Sequence, residues 1–327
     1  MPNFRGRTVF QIAQDWKAFL HIDAGFTRGE LQGSGRRIAP PSRGGSPSPD
    51  THNIRPENIV WTFGSAWSDS AWLGSMMGAT EGTVWNRPLL GDLFGDLFYV
   101  RAAHRRDRDF VLGGPEETRC KLVRGFILSA VEAKFPRATH NGYLVVNEPG
   151  GSLGAPLLSK ALPESRLILL VRHPGDVIAS ALRASGESDQ PAPGKGQDEL
   201  REEGIAPFED PDFIVANQAA RYFDFVGNAR RAYEEHEGPK VLVRYEDLHA
   251  NTPGTMRRIH SELGMVLDEE MLTSAVEEHS RDQVADQGAD ELYHDATPGG
   301  WRENLTPEQV EVVEMVSAPL LGDFYPG

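Results

Sequence analysis

The sequence predicts an α/β protein with a mostly parallel central sheet flanked by helices. Three observations support this prediction: four continuous apolar runs rich in Val, Ile and Leu, helical patterns between them, and turn residues at their ends. Strands that are buried on both faces of a parallel sheet have this continuous apolar character. Their alternation with helices is typical of parallel α/β architecture.

The four apolar runs are the candidate strands, and we expect four to five parallel strands in all. They are NIVWTF at 58–63, the start of GYLVVNEPGG at 142–151, the first part of SRLILLVRHPGDVIASALRA at 165–184, and KVLVRYEDL at 240–248. Each run contains too few polar residues to leave one face in water, so each is expected to lie inside the sheet.

Cap and stop residues set the limits of the predicted helices. The segment AWLGSMMGA at 71–79 follows the first strand and suits a helix. The other three predicted helices are 213–238, stopped by Gly238; a helix from Asn251 to Gly264, with Pro253 in its first turn; and a last helix opened by the capping box Thr306 to Gln309.

The chain divides into an N-terminal part and one large domain. Residues 1–55 are predicted to be an extension and flexible linker, because 32–58 is dense in Gly, Pro and Ser, with one short amphipathic helix over 8–20. Residues 56–327 form the predicted domain. Within it, the acidic, Pro- and Gly-rich segment 185–212 is expected to leave the sheet as an excursion.

Composition excludes several classes of protein. The 327 residues carry 33 Lys and Arg against 48 Asp and Glu, a net charge of −15, which disfavours a nucleic-acid surface. There is one cysteine, Cys120, so an internal disulfide and a cysteine-based zinc site are excluded. No apolar run reaches membrane-spanning length and no signal-peptide pattern opens the sequence, so we expect a cytoplasmic protein without a membrane partner. None of the ten histidines has the spacing of a zinc-protease motif, so no catalytic metal is expected.

Two predicted strand ends carry residues suited to binding phosphate or sulfate. The first strand runs through GSAWSDS at 64–70 into a helix, a geometry that directs backbone N–H groups at an anion, although the loop lacks the Gly-Lys-Ser/Thr ending of a nucleotide-hydrolysing P-loop. The third strand ends in RHPGDVIAS. There Arg172 and Ser180, about two helical turns apart, can converge on one phosphate.

Two further segments complete the predicted site. RYEDL places Tyr245 near the same sheet edge, where it is suited to contact a base. The segment TPGGWRENLT at 297–306 offers a Gly-Gly turn and the cation Arg302, which are suited to surround a phosphate. The same features are also compatible with ordinary strand-end packing and a ligand-free turn.

Together these four elements resemble the sulfotransferases that use 3′-phosphoadenosine 5′-phosphosulfate (PAPS). GSAWSDSAWL resembles the family's 5′-phosphosulfate loop, RHPGDVIAS its 3′-phosphate motif, RYEDL its tyrosine-bearing strand, and GGWRENLT its C-terminal loop. The resemblance covers roughly residues 56–318. It implies a P-loop NTPase-like, three-layer sulfotransferase fold that binds PAPS and the product PAP.

The resemblance also implies roles for individual residues. Arg172 and Ser180 would hold the 3′-phosphate, helped by the C-terminal loop. Trp72 would stack on adenine and Tyr245 would contact the base. The full set of implied donor-binding residues is Ser65, Ala66, Trp67, Ser68, Asp69, Ser70, Ala71, Trp72, Arg172, Ser180, Tyr245, Gly299, Gly300, Trp301 and Arg302.

The phosphosulfate loop departs from the family pattern at two positions. Trp67 replaces a Lys or Arg that stabilises charge on the leaving phosphate, and Asp69 replaces a Gly, which adds a negative charge beside an anion site. Losing such a cation costs a few kcal/mol of transition-state stabilisation. Arg302 is the candidate to replace it. His173 and Gly175 are milder departures, standing where the family has Asp and Arg.

Sulfuryl transfer needs a base for the acceptor hydroxyl. Glu148, directly after the second strand, is the first candidate, since an apolar pocket would raise the pKa of its carboxyl. His104, in the apolar and Arg-rich segment 76–112, is the second. The alternative for Glu148 is a helix-cap or turn carboxylate, and the alternative for His104 is a lone histidine without a catalytic role.

The sequence therefore predicts transfer of a sulfuryl group from PAPS to a hydroxyl of a small-molecule acceptor by in-line displacement. The alternatives are a catalytically impaired PAP/PAPS-binding protein of the same fold and a P-loop phosphotransferase. The acceptor stays unassigned, and so does the oligomeric state, for which a homodimer is one option.

Overall fold

A computed structural model describes residues 55–81, 84–85, 89, 115–135, 142–187, 211–279 and 297–325 of the protein. The predicted helix at 8–20, most of the N-terminal extension, and most of segments 76–112 and 185–212 lie outside the described residues. None of the described helices combines the length and the apolar character that a membrane span requires.

The described chain contains five strands and ten α-helices. The strands are β1 (Ile59–Phe63), β2 (Val84–Trp85), β3 (Leu144–Asn147), β4 (Arg166–Val171) and β5 (Lys240–Arg244). The helices are α1 (Ser70–Glu81), α2 (Glu116–Lys134), α3 (Ala155–Ala161), α4 (Pro174–Glu187), α5 (Pro211–Glu235), α6 (Tyr245–Ala250), α7 (Thr252–Leu263), α8 (Glu269–Glu278), α9 (Trp301–Asn304) and α10 (Pro307–Phe324). Short 3₁₀ turns occupy Pro56–Asn58 and Gly150–Gly154.

The strands form one parallel sheet in the order β2-β3-β1-β4-β5. β1 is the central strand: it pairs with β3 from Ile59↔Leu144 and with β4 from Val60↔Arg166. All five residues of β1 are buried, because helices cover both faces of the sheet. The predicted parallel α/β architecture is confirmed.

Two apolar clusters lie on opposite faces of the sheet and make it the middle of three layers. On one face Ile59, Trp61 and Phe63 of β1 pack with residues of α2, α3, α5 and α10. On the other face Val60 packs with residues of α1, α6, α7 and α8. The alternation along a single strand thus supplies both cores.

Three local predictions fit the structure closely. The Asn251 side chain accepts a hydrogen bond from Gly254 N and caps α7, which ends at Gly264 with φ of 63°. Thr306 and Gln309 form the reciprocal capping box of α10. These elements were predictable because a cap depends on residues only a few positions apart.

Two expected boundaries are corrected by the structure. The strand predicted over 240–248 ends at Arg244, and Tyr245 begins the short helix α6. The helix predicted over 213–238 ends at Glu235. Gly238 has another role: a Cβ there would lie 2.6 Å from the Ser165 carbonyl oxygen, so glycine permits close packing against the start of β4.

Candidate functional site

Four parts of the predicted site follow the carboxyl ends of strands in the sheet. β1 continues into the loop 64–69, β3 into Glu148, β4 into Arg172 and β5 into Tyr245. Since the strands are parallel and β1 lies between β3 and β4, the loop 64–69 lies between Glu148 and Arg172. The strands that follow β1 in sequence are added first on one side of it and then on the other. Open α/β sheets bind ligands at the point where the direction of strand addition changes in this way.

The loop 64–69 is held tightly against the sheet. Gly64 N donates a hydrogen bond to Ser152 Oγ at 2.9 Å. A Cβ on Gly64 would lie 2.3 Å from the Leu170 carbonyl oxygen, so only glycine fits this approach. Ser68 Oγ donates to Ser65 O at 2.7 Å. The loop then leads directly into α1, whose N-terminus favours a bound anion.

Arg172 connects this loop to the end of β4. Its Nη1 donates to the Trp67 carbonyl oxygen at 3.1 Å, and its guanidinium lies 4.6 Å from the centre of the Tyr245 ring. The Arg172 carbonyl in turn accepts a hydrogen bond from Tyr222 Oη at 2.9 Å. Backbone and side chain are therefore both fixed, and the side chain is buried.

Arg172 has an acidic partner that the sequence did not indicate. Its Nη1 is 3.4 Å from Asp69 Oδ2, within the phosphosulfate-like loop. Asp176 and Glu164 flank the same strand and could each have formed a salt bridge with Arg172. Glu164 instead pairs with Arg124 at 2.9 Å, and Asp176 accepts backbone hydrogen bonds.

Two buried donors in this region fit an anionic ligand. Among the described residues, Ser65 Oγ and Arg172 Nε have no hydrogen-bond partner, although both atoms are buried. A buried polar group without a partner is costly, and phosphate or sulfate oxygens would accept from both. These two donors therefore fit an anion such as phosphate or sulfate.

The two aromatic residues expected at the base contact each other. The Trp72 and Tyr245 rings are 6.1 Å apart in an edge-to-face arrangement, and Trp72 Nε1 donates to the His279 carbonyl oxygen. Tyr245 is fully buried and Trp72 is 7% exposed, so little of either ring is open to a base in this conformation. Ser180 lies half-buried on α4, as expected from its spacing.

The C-terminal loop 297–302 is fastened to the first turn of α4. Asp176 accepts hydrogen bonds from Gly299 N at 2.8 Å and from Trp301 N at 3.1 Å. Gly300 N donates to Thr297 O. The amides expected to surround a phosphate thus already donate within the protein. Arg302 remains exposed, with its guanidinium 4.5 Å from the Trp301 ring centre.

His173 joins β4, α4 and the C-terminus. Its ring stacks on Trp301 at 5.1 Å and meets Tyr325 edge-on at 5.2 Å. Its Nδ1 accepts from Gly175 N, which makes it an N-cap of α4, and its backbone N donates to Glu246. Burial lowers the pKa of His173, so the neutral ring can accept this bond.

The two candidate bases have different outcomes. Glu148 is fully buried, and its Oε2 accepts a hydrogen bond from Leu89 N at 2.7 Å. Its backbone N donates to Thr62 O, which continues the β1–β3 pairing past the strand end. His104 lies outside the described residues.

Three residues important to the site were missed from the sequence. Asp176 secures the C-terminal loop, Glu246 accepts from His173 N and from Tyr325 Oη, and Ser152 holds Gly64. A signal existed for Asp176, because a carboxylate in the first turn of a helix favours N–H partners. The partners of Glu246 and Ser152 come from distant segments, and no local pattern indicates them.

The fold and this edge define a class: a parallel three-layer α/β protein whose central loop and strand-end arginine are suited to an anionic ligand. A family model described as "Sulfotransferase family" matches residues 100–269, just over half of the 327 residues. The chain therefore belongs to the sulfotransferase family. The match includes Glu148, Arg172, Ser180 and Tyr245. No curated protein matches the sequence.

Several solved structures are similar at low identity. Mouse sulfotransferase SULT7A1 complexed with PAP is 11% identical, with 84% of this chain and 88% of that chain covered and a TM-score of 0.49. The sulfotransferase domain of the Synechococcus PCC 7002 olefin synthase is 19% identical, with 82% and 97% covered and a TM-score of 0.43. A sulfotransferase from Mycobacterium avium, STF9, is 14% identical, with 83% and 78% covered and a TM-score of 0.43.

Proposed function

We propose that this protein transfers a sulfuryl group from PAPS to a hydroxyl group of a small molecule. The observation that carries the proposal is the contact of Arg172 Nη1 with the Trp67 carbonyl oxygen at 3.1 Å. It places the strand-end arginine and the loop 64–69 at one point of the sheet edge. This contact supports the assignment of the 3′-phosphate motif and the loop to a single site.

The proposal gives each part of the edge a task. Arg172 and Ser180 bind the 3′-phosphate, because a guanidinium and a hydroxyl supply directed donors. The loop 64–70 and the N-terminus of α1 neutralise the phosphosulfate. The acceptor oxygen attacks sulfur as the bond from sulfur to the phosphate oxygen breaks, and Glu148 takes the hydroxyl proton.

Arg302 is the proposed source of positive charge near the leaving phosphate. Its side chain is exposed and belongs to the loop fastened to α4 by Asp176. Trp67 stands where the family has a cation, and its side chain is 38% exposed. This substitution favours a second candidate function, a PAP-binding protein that turns over slowly or not at all.

A thermal-shift experiment with Arg172 variants tests donor binding. We expect PAP to raise the melting temperature of the native protein and ATP with Mg²⁺ to have no effect. Arg172→Ala should weaken PAP binding by about 10- to 100-fold, since a hydrogen bond to a charged group contributes about 1.5–3 kcal/mol. Arg172→Lys should also lose most of the PAP affinity, because Lys lacks the planar fork of donors.

Arg231→Ala, on the exposed side of α5, is the matched control and should leave the PAP shift unchanged. A normal PAP shift in Arg172→Ala would show that the assigned site is wrong. A shift with ATP and Mg²⁺ would favour the phosphotransferase. PAP binding without sulfuryl transfer to any member of a hydroxyl acceptor panel would favour the non-catalytic binder.

A further inference from the structure

The phosphosulfate-like loop contains two residues in an unusual backbone conformation. Trp67 has φ of 63° and Asp69 has φ of 60°, in the left-handed region that favours glycine. For most L residues this conformation costs about 1 kcal/mol, and Asp tolerates it better than larger side chains. This backbone conformation sets the direction in which the Asp69 side chain leaves the main chain. Its carbonyl oxygen is also held, by bonds from Trp72 N and Leu73 N that start α1.

The Asp69 carboxylate contacts Arg172, the residue to which our proposed function assigns the 3′-phosphate of the ligand. Asp69 Oδ2 is 3.4 Å from Arg172 Nη1, and the side chains are 13% and 3% exposed. The same nitrogen donates to Trp67 O at the shorter distance of 3.1 Å. A charge-assisted hydrogen bond is usually about 2.7–2.9 Å long, so the contact to Asp69 is the looser of the two and the easier to exchange.

Because both side chains are little exposed, the negative charge of Asp69 acts strongly on an anion at Arg172, even though the contact between the two side chains is long. Water and salt screen exposed pairs strongly and buried pairs much less. A phosphate arriving at Arg172 would therefore meet a carboxylate on the same guanidinium. Like charges placed together at an interface cost several kcal/mol.

We propose that Asp69 determines the affinity of the donor site by occupying Arg172 with its carboxylate until a phosphate replaces it. This inference rests on the proposed function, in which Arg172 binds the 3′-phosphate. The carboxylate acts as an internal competitor for the anion. Nucleotide binding then includes an exchange of one anion for another on Arg172. The site is consequently weaker for PAP than a loop with glycine at this position.

The test is a double-mutant cycle on PAP affinity, measured by isothermal titration calorimetry with the full chain. Asp69→Asn keeps the side-chain shape and tolerates the left-handed conformation, but removes the charge. We expect it to tighten PAP binding at least about tenfold. In an Arg172→Ala background the gain should shrink to about twofold or less, because no cation then remains at position 172 for Asp69 to occupy.

Two more variants complete the design. Asp69→Gly removes both the carboxylate and the backbone strain, and it should also tighten PAP binding. Glu57→Gln changes the net charge by the same amount on an exposed 3₁₀ turn and should leave affinity unchanged. Melting temperatures measured without ligand verify that each variant is folded.

The outcomes separate this inference from the proposed function. If the native chain binds PAP and Asp69→Asn binds it equally or more weakly, the inference is overturned while the proposed function stands. An equal gain in the native and Arg172→Ala backgrounds also overturns it, since Asp69 would then act elsewhere. If neither the native chain nor Asp69→Asn binds PAP, both are overturned.

Discussion

Glu148 is the residue on which the proposed proton transfer depends. Its carboxyl is fully buried at the end of β3, with Oε2 oriented by Leu89 N. We expect Glu148→Gln to lower kcat by about 10²- to 10⁴-fold, the usual contribution of a general base. The glutamine amide oxygen can still accept from Leu89 N, so the local structure should persist. Steady-state kinetics with PAPS and an accepted hydroxyl compound measure the effect.

PAP affinity separates a catalytic role of Glu148 from a structural one. The dissociation constant of PAP should stay within about threefold of the native value, because the base does not contact the nucleotide in our proposal. Glu164→Gln is the matched control, since Glu164 is exposed and pairs with Arg124 away from the sheet edge. Unchanged turnover in Glu148→Gln would remove this residue from the mechanism.

At the scale of elements, α4 and the C-terminal loop are joined by a contact that requires glycine. A Cβ on Gly175 would lie 2.6 Å from the Trp301 ring, far closer than van der Waals contact. Gly175→Ala should therefore displace the loop 297–302 and lower the free energy of unfolding by about 1–3 kcal/mol. PAP binding should weaken as well, because the loop carries Arg302. Urea unfolding and calorimetry measure the two effects.

Gly227→Ala provides the opposite case for comparison. Gly227 lies inside α5, and a Cβ there would meet no atom within 4 Å. Alanine should stabilise the helix by about 0.5–1 kcal/mol and leave PAP affinity unchanged. If Gly175→Ala behaved in the same way, the packing of Trp301 against α4 would not be important for the site.

The elements that the sequence predicted well are those whose signals are local or strongly apolar. β1, β3 and β4 are buried apolar runs, and α7 and α10 have caps formed by neighbouring residues. β2 was not located, because its two residues are defined by pairing with Val145 and Val146 rather than by any pattern of their own. Long-range pairing of this kind has no sequence period.

The sequence predicted which edge of the sheet carries the candidate site, but not which residues pair with the site residues. Parallel strands end at one edge, so motifs at strand ends had to meet there. The acid that faces Arg172 is decided by how the end of β4 lies relative to the loop 64–69. Asp69 faces it, whereas Asp176 turns toward Gly299 N. The Gly299 and Gly300 amides likewise found acceptors in the folded chain that no local motif indicates.

At the scale of the whole molecule, the site unites segments far apart in sequence. The loop 64–69, residues 172–176 and the loop 297–302 belong to the first, middle and last parts of the described chain. They are linked by Arg172 to Trp67 and by Asp176 to Gly299. A ligand that binds all three should stabilise the entire domain, by about 2.7 kcal/mol when its concentration is 100 times the dissociation constant.

Two buried histidines should make the stability of the whole domain depend on pH. Burial lowers the pKa of both His173 and His236 below the ordinary value of 6.5. In the unfolded chain both rings bind a proton below about pH 6.5, whereas in the folded chain they stay neutral to lower pH. The unfolded state then holds more protons, so the free energy of unfolding falls as the pH falls. The loss ends once the pH passes below the folded pKa values.

Comparison of variants isolates this effect from the acidic background. The net charge of −15 produces repulsion that weakens on acidification, which opposes the histidine effect. His173→Asn keeps a capping acceptor for Gly175 N, and His236→Gln keeps a donor for the Ser165 carbonyl oxygen. Each variant should lose less stability between about pH 7.5 and 5.5 than the native chain, by up to about 1.4 kcal/mol per pH unit. The groups facing His173 are Asp176, Arg244, Arg302 and Glu246, and all four are retained in both variants. Urea unfolding at several pH values measures the free energy of unfolding. If it changes with pH equally in the native and variant chains, the two rings titrate alike in the folded and unfolded states.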